Sequence, residues 1–347
     1  MSPRTLRYHA RTGARPLAAA RVIVVGLVAF SLAGLLNADS LYAQASRQPY
    51  GWKRTVARGA MGPVRRLSHA THLNRPRILI EDAIGRDDGP GRTGGPTPDG
   101  RSRVTVTTRP PEAPPPTIAP RLPTQENPLR LWVGGDSMAQ VFGESVVDKA
   151  GSRGTITPTL DYRISTGLTR PDYFDWPAHL RDDVLPTDPE VIIIMFGAND
   201  AQPMEVDGTP YKVRTPEWQQ EYRARVALTM DLLAGDGRLV IWVGQPRMRD
   251  GDFDERMGIL DEIYQGEAAS RPWVRFLDSR VVLAPEGGGF AAYLPGEDGQ
   301  PNLARQGDGI HLTRYGGDRL ADATLAVIDL ELAAGATTPK PTSTSGG

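Results

Sequence analysis

The most constraining feature of this sequence is an unbroken apolar segment at 191–196, VIIIMF. A run without a polar position is typical of a strand buried on both faces, as in the middle of a parallel sheet. Four other short apolar segments are predicted as strands, at 129–133, 159–165, 238–244 and 273–278. Helical patterns separate them, beginning near Ser137 and at 176–184, 217–233, 252–268 and 315–332. This alternation predicts a three-layer α/β/α domain, flavodoxin-like, with a five-stranded parallel sheet in the order 2-1-3-4-5.

The N-terminal region has the charge pattern of an export signal. Residues 1–21 form a basic region, predicted to be cytoplasmic, that contains arginines and no acid, and the segment 22–45 opens with the uncharged run VIVVGLVAFSLAGLL. An apolar run behind a cationic region is typical of a signal peptide or signal anchor. The excess of arginine before the run predicts a cytoplasmic N-terminus and an extracytoplasmic remainder. We expect an uncleaved membrane anchor; the alternative is a secreted protein cleaved near 43–45.

The rest of the chain, from residue 46 onwards, divides into four segments of different composition. Residues 46–85 are basic and predict a juxtamembrane helical segment, which lies on the membrane surface or is simply solvated. Residues 86–127 are rich in proline and glycine and predict an extended linker. A globular domain is predicted at 128–334 and a disordered tail at 335–347. The segments imply a domain held away from a membrane by a spacer.

The composition of the chain excludes several kinds of functional site. The chain contains no cysteine, which excludes disulfides, thiolate metal sites and a cysteine nucleophile. A net charge of −1 gives no reason to expect a nucleic-acid partner. His69 and His72 lie three positions apart, but two histidines without nearby carboxylates are a weak metal signal. We predict neither a metal nor a cofactor.

Two turns are candidate parts of a ligand site. In such sheets ligands bind beyond the carboxyl ends of the strands, at the point where the strand order reverses. The two turns are GGDS at 134–137 and GAND at 197–200. Ser137 leaves the first strand for a helix, where a helix N-terminus stabilises developing negative charge. Taken alone, Ser137 or Asp136 is more readily explained as a helix N-cap, and Asn199 as part of a strand-end turn.

A serine nucleophile needs a base, and the domain contains two histidines, His179 and His311. His179 lies in PAHLRDD, which predicts a surface helix. His311 lies in GDGIHLT, a glycine-flanked loop before the last helix, three residues after Asp308. Side chains at this spacing can meet in a turn, so Asp308 can orient the imidazole. The alternatives are an Asx turn for Asp308 and a packing role for His311.

The four short motifs together resemble those of the SGNH, or GDSL, hydrolase superfamily. The blocks read GGDSMAQ, ISTGLTRPD, GAND and DGIHLT and span almost all of 129–333. The resemblance implies Ser137 as nucleophile and Asp308 and His311 as its acid and base. It also implies an oxyanion hole of the Ser137 N–H, the Gly167 N–H and the Asn199 amide. Met138 replaces the leucine usual in the first block, and the second block lacks the usual asparagine.

The expected function is therefore that of an extracytoplasmic serine esterase. It would hydrolyse an ester-linked acyl group, acetyl in the first instance, with an acylated envelope glycan or lipid as substrate. The nearest alternative is an O-acyltransferase that uses the same triad and passes the acyl group to a sugar hydroxyl. An alternative of another class is a non-catalytic glycan-binding protein on the same fold.

Overall fold

A computed structural model describes residues 19–48, 51–73 and 120–337. These residues divide into two units, an N-terminal helical unit and a larger α/β unit. The first eighteen residues, 74–119 and the last ten residues lie outside the described part. The predictions for the cytoplasmic basic region and for most of the linker and the tail fall there.

The N-terminal unit consists of three helices, α1 (Ala19–Leu36), α2 (Ala38–Arg47) and α3 (Trp52–Ala70). Helix α1 exposes its apolar side chains, with Phe30 82% exposed. Asp39 of α2 forms ion pairs with Arg65 and His69 of α3, each 2.8 Å long. In the part of the chain that the structure describes, no single helix, α1 included, is long and apolar enough to span a membrane. Helices α1 and α2 together are long and apolar enough, but they are bent by 75°.

The α/β unit is built on a five-stranded parallel sheet, and its strand order confirms the prediction. Its strands are β1 (Leu129–Gly135), β2 (Ile156–Tyr162), β3 (Val191–Met195), β6 (Leu239–Val243) and β7 (Val274–Leu277), in the order β2-β1-β3-β6-β7. The predicted central run is fully buried along β3, and so is β6. Two antiparallel hairpins, β4 (Met204–Val206) with β5 (Thr209–Tyr211) and β8 (Tyr293–Pro295) with β9 (Pro301–Leu303), were not predicted.

Helices cover the sheet at the positions that the sequence pattern indicates. They are α4 (Met138–Gly151), α5 (Trp176–His179), α6 (Pro216–Leu232), α7 (Gly251–Ala269), the short α8 (Ser279–Val282) and α9 (Arg314–Thr337). The predicted helix at 176–184 is only in part an α-helix, because a π-helical turn continues it from Leu180 to Val184. Helix α9 continues three residues into the segment predicted to be a disordered tail.

The second strand and the end of the predicted linker differ from expectation. Strand β2 begins three residues earlier than predicted and ends at Tyr162, because the chain turns at Ser165, whose φ is +62°. Residues 120–127 contact the domain: Pro120 is buried, and the guanidinium of Arg121 pairs with Glu190 at 2.7 Å. The folded unit therefore begins before residue 128.

Candidate active site

The nucleophile predicted from the sequence contacts the predicted base. Ser137 follows β1 and Asp136 at the start of α4, and its Oγ lies 2.9 Å from Nε2 of His311. The Ser137 side chain makes no capping hydrogen bond to the helix. Ser137 thus occupies the N-cap position of α4 without capping the helix, and its hydroxyl is directed to the imidazole instead.

The acid and the base meet within one turn. Nδ1 of His311 lies 2.6 Å from Oδ2 of Asp308. The other carboxylate oxygen accepts the backbone N–H groups of Ile310 and His311, at 2.8 and 3.0 Å. Partial burial opposes ionisation, but these hydrogen bonds outweigh it and lower the pKa of Asp308 to about 2. The Asx-turn interpretation is thus correct for Oδ1 of Asp308, while Oδ2 contacts the imidazole of His311.

These contacts suit one of the two neutral tautomers of His311, the one protonated on Nδ1. An ionised Asp308 accepts the proton on Nδ1 of His311, so the neutral imidazole presents a lone pair on Nε2. The Ser137 hydroxyl then donates to Nε2 across the 2.9 Å contact. The three side chains have the connectivity of a Ser-His-Asp triad.

The proposed oxyanion donors stand on three different loops. The Asn199 amide donates to Asp136 Oδ2 over a long 3.3 Å contact, and its second N–H meets no protein acceptor among the described residues. Within the described ranges, the backbone N–H groups of Ser137 and Gly167 donate to no protein acceptor. Unpaired N–H groups next to a nucleophile are what an oxyanion hole requires. Their role as its donors remains a prediction.

A buried carboxylate joins the first and third sequence blocks. Asp136 is fully buried; its Oδ1 accepts the N–H of Met138 at 2.8 Å, and its Oδ2 accepts the N–H of Gly197 at 3.1 Å. The same Oδ2 receives the Asn199 amide. Burial raises the pKa of Asp136 to about 6, with repulsion from the nearby Asp200 adding to the effect. Asp136 thus positions Asn199 beside the loop that carries the nucleophile, a role that the sequence pattern did not reveal.

A second buried carboxylate joins the second and third blocks. Asp200 accepts the backbone N–H groups of Leu168 and Thr169, at 3.0 and 2.8 Å, and the hydroxyl of Tyr222 at 2.7 Å. Burial raises the pKa of Asp200 despite these donors. Asp136 and Asp200 together connect the three loops that carry the first, second and third sequence blocks.

The Asp200 carboxylate also explains why the second block carries glycine at 167. A Cβ added to Gly167 would lie 2.2 Å from Oδ1 of Asp200. We expect Gly167→Ala to destabilise the protein by roughly 1–3 kcal/mol through overpacking and to lower kcat/KM by displacing the 167–169 loop. Thermal unfolding and ester hydrolysis measure the two effects. The control is Gly251→Ala, since no atom lies within 4 Å of a Cβ there; equal losses in both variants would contradict the steric explanation.

The raised pKa of Asp136 predicts a pH-dependent stability. Ionisation costs more in the folded than in the unfolded protein, so the Asp136 contribution is fully present below pH 3.8 and is lost as pH rises through about 6. A shift from 3.8 to about 6 corresponds to about 3 kcal/mol. The free energy of unfolding of the wild type, minus that of Asp136→Asn, should therefore fall by up to this amount between pH 4 and pH 7. Urea unfolding at both pH values measures it, and a constant difference would contradict the assignment.

His179 lies in a helix as predicted, at the end of α5, but its side chain is more enclosed than a surface position implies. Its side chain is 14% exposed and lies between two carboxylates, 2.6 Å from Asp161 and 2.7 Å from Asp183. The hydrogen bond that His179 donates to the Asp161 carboxylate is the largest cause that raises the pKa of His179. The histidine thus links the end of β2 to α5 and the π-helical turn, away from the triad hydrogen bonds. Among the described residues, no group of three or more His, Cys, Asp or Glu side chains is arranged to hold a metal ion.

A family model described as "protein of unknown function (DUF459)" matches residues 130–327. None of the curated proteins compared with the chain matches it. Similar solved structures include a GDSL-like lipase from Bacteroides thetaiotaomicron, with 15% identity, coverage of 58% of this chain and 88% of that one, and a TM-score of 0.40. Another is a catalytic mutant of an acetylxylan esterase from Geobacillus stearothermophilus, with 16% identity, coverage of 58% and 94%, and a TM-score of 0.40. The family match covers more than half of the sequence, and the chain therefore belongs to the DUF459 family.

Proposed function

We propose that the α/β unit is a serine esterase that hydrolyses an ester-linked acyl group, with acetyl as the first candidate. The observation that carries the proposal is the continuous hydrogen-bonded path from Ser137 Oγ to His311, at 2.9 Å, and on to Asp308, at 2.6 Å. Residues 174 positions apart in the sequence form the first of these contacts. A purely structural role for His311 does not require both ring nitrogens to be engaged in this way.

The reaction follows from the proton positions. His311 Nε2 takes the Ser137 proton as Oγ bonds to the ester carbonyl carbon, and Asp308 stabilises the resulting imidazolium. The carbonyl oxygen gains negative charge, which the N–H groups of Ser137 and Gly167 and the Asn199 amide stabilise; each such donor contributes about 3–4 kcal/mol. The carbon–oxygen bond to the alcohol then breaks, and the imidazolium protonates the leaving alkoxide. Water, deprotonated by His311, releases the acyl group and regenerates Ser137.

Hydrolysis of p-nitrophenyl acetate by the full-length protein tests the proposal, together with labelling by a fluorophosphonate. We expect release of p-nitrophenol and a single covalent adduct on the peptide that contains Ser137. A protein that neither hydrolyses the ester nor reacts with the probe would favour the non-catalytic glycan-binding function. Added sugar acceptors separate the esterase from an O-acyltransferase, because a transferase forms acylated sugar faster than free acid.

We also propose that the esterase acts outside the cytoplasm, tethered by its N-terminal segment. The support is the cationic region followed by the apolar α1, whose side chains are exposed over most of its length. An envelope glycan or lipid is the substrate that this location suggests. Carbonate extraction of membranes, with protease added from the outside, tests the tether: a soluble protein, or one degraded only after lysis, would contradict it.

A further inference from the structure

Two arginines contact the loop that carries Asp308 and His311. Arg305 is 2% exposed, and its guanidinium donates to the carbonyl oxygens of Arg247 and Ile310, at 2.7 and 2.6 Å. Burial lowers the pKa of Arg305 to about 10. At neutral pH this side chain is still a cation, placed directly behind the triad loop.

The second arginine, Arg249, lies on the exposed side of the same loop. Its Nη1 donates to the carbonyl oxygen of Gly307 at 2.7 Å. Its side chain covers Gly309, where an added Cβ would lie 2.5 Å from Cβ of Arg249. Both guanidinium groups face the ring of Phe290, at 5.3 Å for Arg249 and 5.4 Å for Arg305. Two cations thus share one aromatic ring beside the catalytic loop.

The carboxylates of Asp250, Asp254 and Asp308, which lie close to Arg249 in the sequence or on the loop it contacts, bind other groups. Asp250 caps helix α7 by accepting the N–H of Phe253 at 2.8 Å. Asp254 pairs with Arg247 at 2.9 Å, and Asp308 serves His311. Among the described residues, Arg249 forms no ion pair with a carboxylate, and four of its five guanidinium N–H groups have no protein acceptor.

We propose that Arg249 binds an anionic oxygen group of the substrate, a carboxylate or a phosphate, next to the ester that Ser137 attacks. The inference rests on the proposed esterase function and specifies its substrate class as an acylated acidic glycan. Two like charges on one ring repel each other, and a bound anion removes this repulsion. The planar fork of Arg249 suits carboxylate or phosphate oxygens, and the Phe290 ring holds the fork in place.

Matched substrates test the inference. They are an O-acetylated methyl glucoside, the corresponding O-acetylated methyl glucuronoside, and an O-acetylated methyl glucoside phosphate. Acetate release by the full-length protein gives kcat/KM for each. We expect kcat/KM for at least one anionic ester to exceed that for the neutral ester by roughly tenfold, the worth of one charge-assisted hydrogen bond. Which anion is preferred distinguishes an acidic sugar from a phosphorylated one.

Substitutions of Arg249 test whether this residue causes the preference for anionic esters. Arg249→Gln should reduce the anionic-to-neutral ratio towards one, and Arg249→Lys should keep part of it as a point charge. The ratio should also fall at high salt, since Arg249 is exposed. The control is Arg181→Gln, an arginine 58% exposed and paired with Asp182, which should leave the ratio unchanged.

The outcomes separate the inference from the proposed function. A wild type that hydrolyses all three esters equally, or an Arg249→Gln variant with an unchanged ratio, would overturn the inference and leave the esterase intact. Equilibrium binding of the same glycosides to Ser137→Ala, with and without Arg249→Gln, measures the preference independently of turnover. If the wild type hydrolyses neither these esters nor p-nitrophenyl acetate, the esterase proposal fails, and an Arg249-dependent difference in Kd still decides the inference.

Discussion

Replacing Ser137 by alanine is expected to lower kcat for ester hydrolysis roughly 10⁴–10⁶-fold. The substitution removes the atom that attacks the ester, and no other hydroxyl among the described residues contacts His311. Steady-state hydrolysis of p-nitrophenyl acetate measures the loss. The control is Ser152→Ala, because Ser152 is exposed at the other end of α4 and its hydroxyl binds only the carbonyl oxygen of Lys149.

A double variant sharpens this test. Residues of a triad act as a unit, so Ser137→Ala combined with His311→Ala should cost hardly more than either substitution alone. Independent losses that multiply would mean that the two residues do not act in one proton transfer. Activity that survives both substitutions would contradict the mechanism.

The second large effect is expected for Asp308→Asn, a loss of roughly 10⁴-fold in kcat. Asparagine can keep the Oδ1 contacts to the N–H groups of Ile310 and His311, so the loop retains its shape. In place of Oδ2 it presents an N–H donor to His311 Nδ1, which favours the tautomer protonated on Nε2. That imidazole cannot accept the proton of Ser137, although the geometry is preserved.

Comparison with Asp308→Ala separates the two functions of this carboxylate. Alanine removes the backbone contacts as well, so we expect a lower Tm for Asp308→Ala and a nearly unchanged Tm for Asp308→Asn. Both variants should be almost inactive at every pH between 5 and 9. An Asn variant with more than a tenth of wild-type kcat would show that Asp308 only shapes the loop.

The sheet and the triad were predictable because their signals are local. The apolar 191–196 run indicates a central strand without reference to the rest of the chain, and the strand order then brings Ser137 and Asn199 to one edge. Asp308 and His311 lie three residues apart, so their contact is largely a property of one turn. The sheet prediction needed periodicity and one topological rule, whereas the roles of Ser137, Asp308 and His311 followed from the resemblance of the four blocks to those of the SGNH hydrolases.

The residues that organise the site were not predictable in the same way. Asp136 and Asp200 were interpreted as cap or turn residues, and they do bind nearby N–H groups. Their other contacts, to the 197–199 and 168–169 loops, exist only after the strands have assembled. The segment PAHLRDD predicts a surface helix for His179, but Asp161, eighteen residues earlier, provides a partner and a more enclosed setting. Contacts of this kind depend on loop geometry, which hydrophobic periodicity does not encode.

The separation of 3 residues between Asp308 and His311, against 174 between Ser137 and His311, has a consequence for folding. The acid–base pair can form as soon as its turn closes, whereas the nucleophile reaches the imidazole only when the first and last parts of the unit have joined. Long-range contacts form late because loop closure costs entropy. Reactivity of Ser137 towards a fluorophosphonate should therefore report that the first and last parts of the α/β unit have assembled.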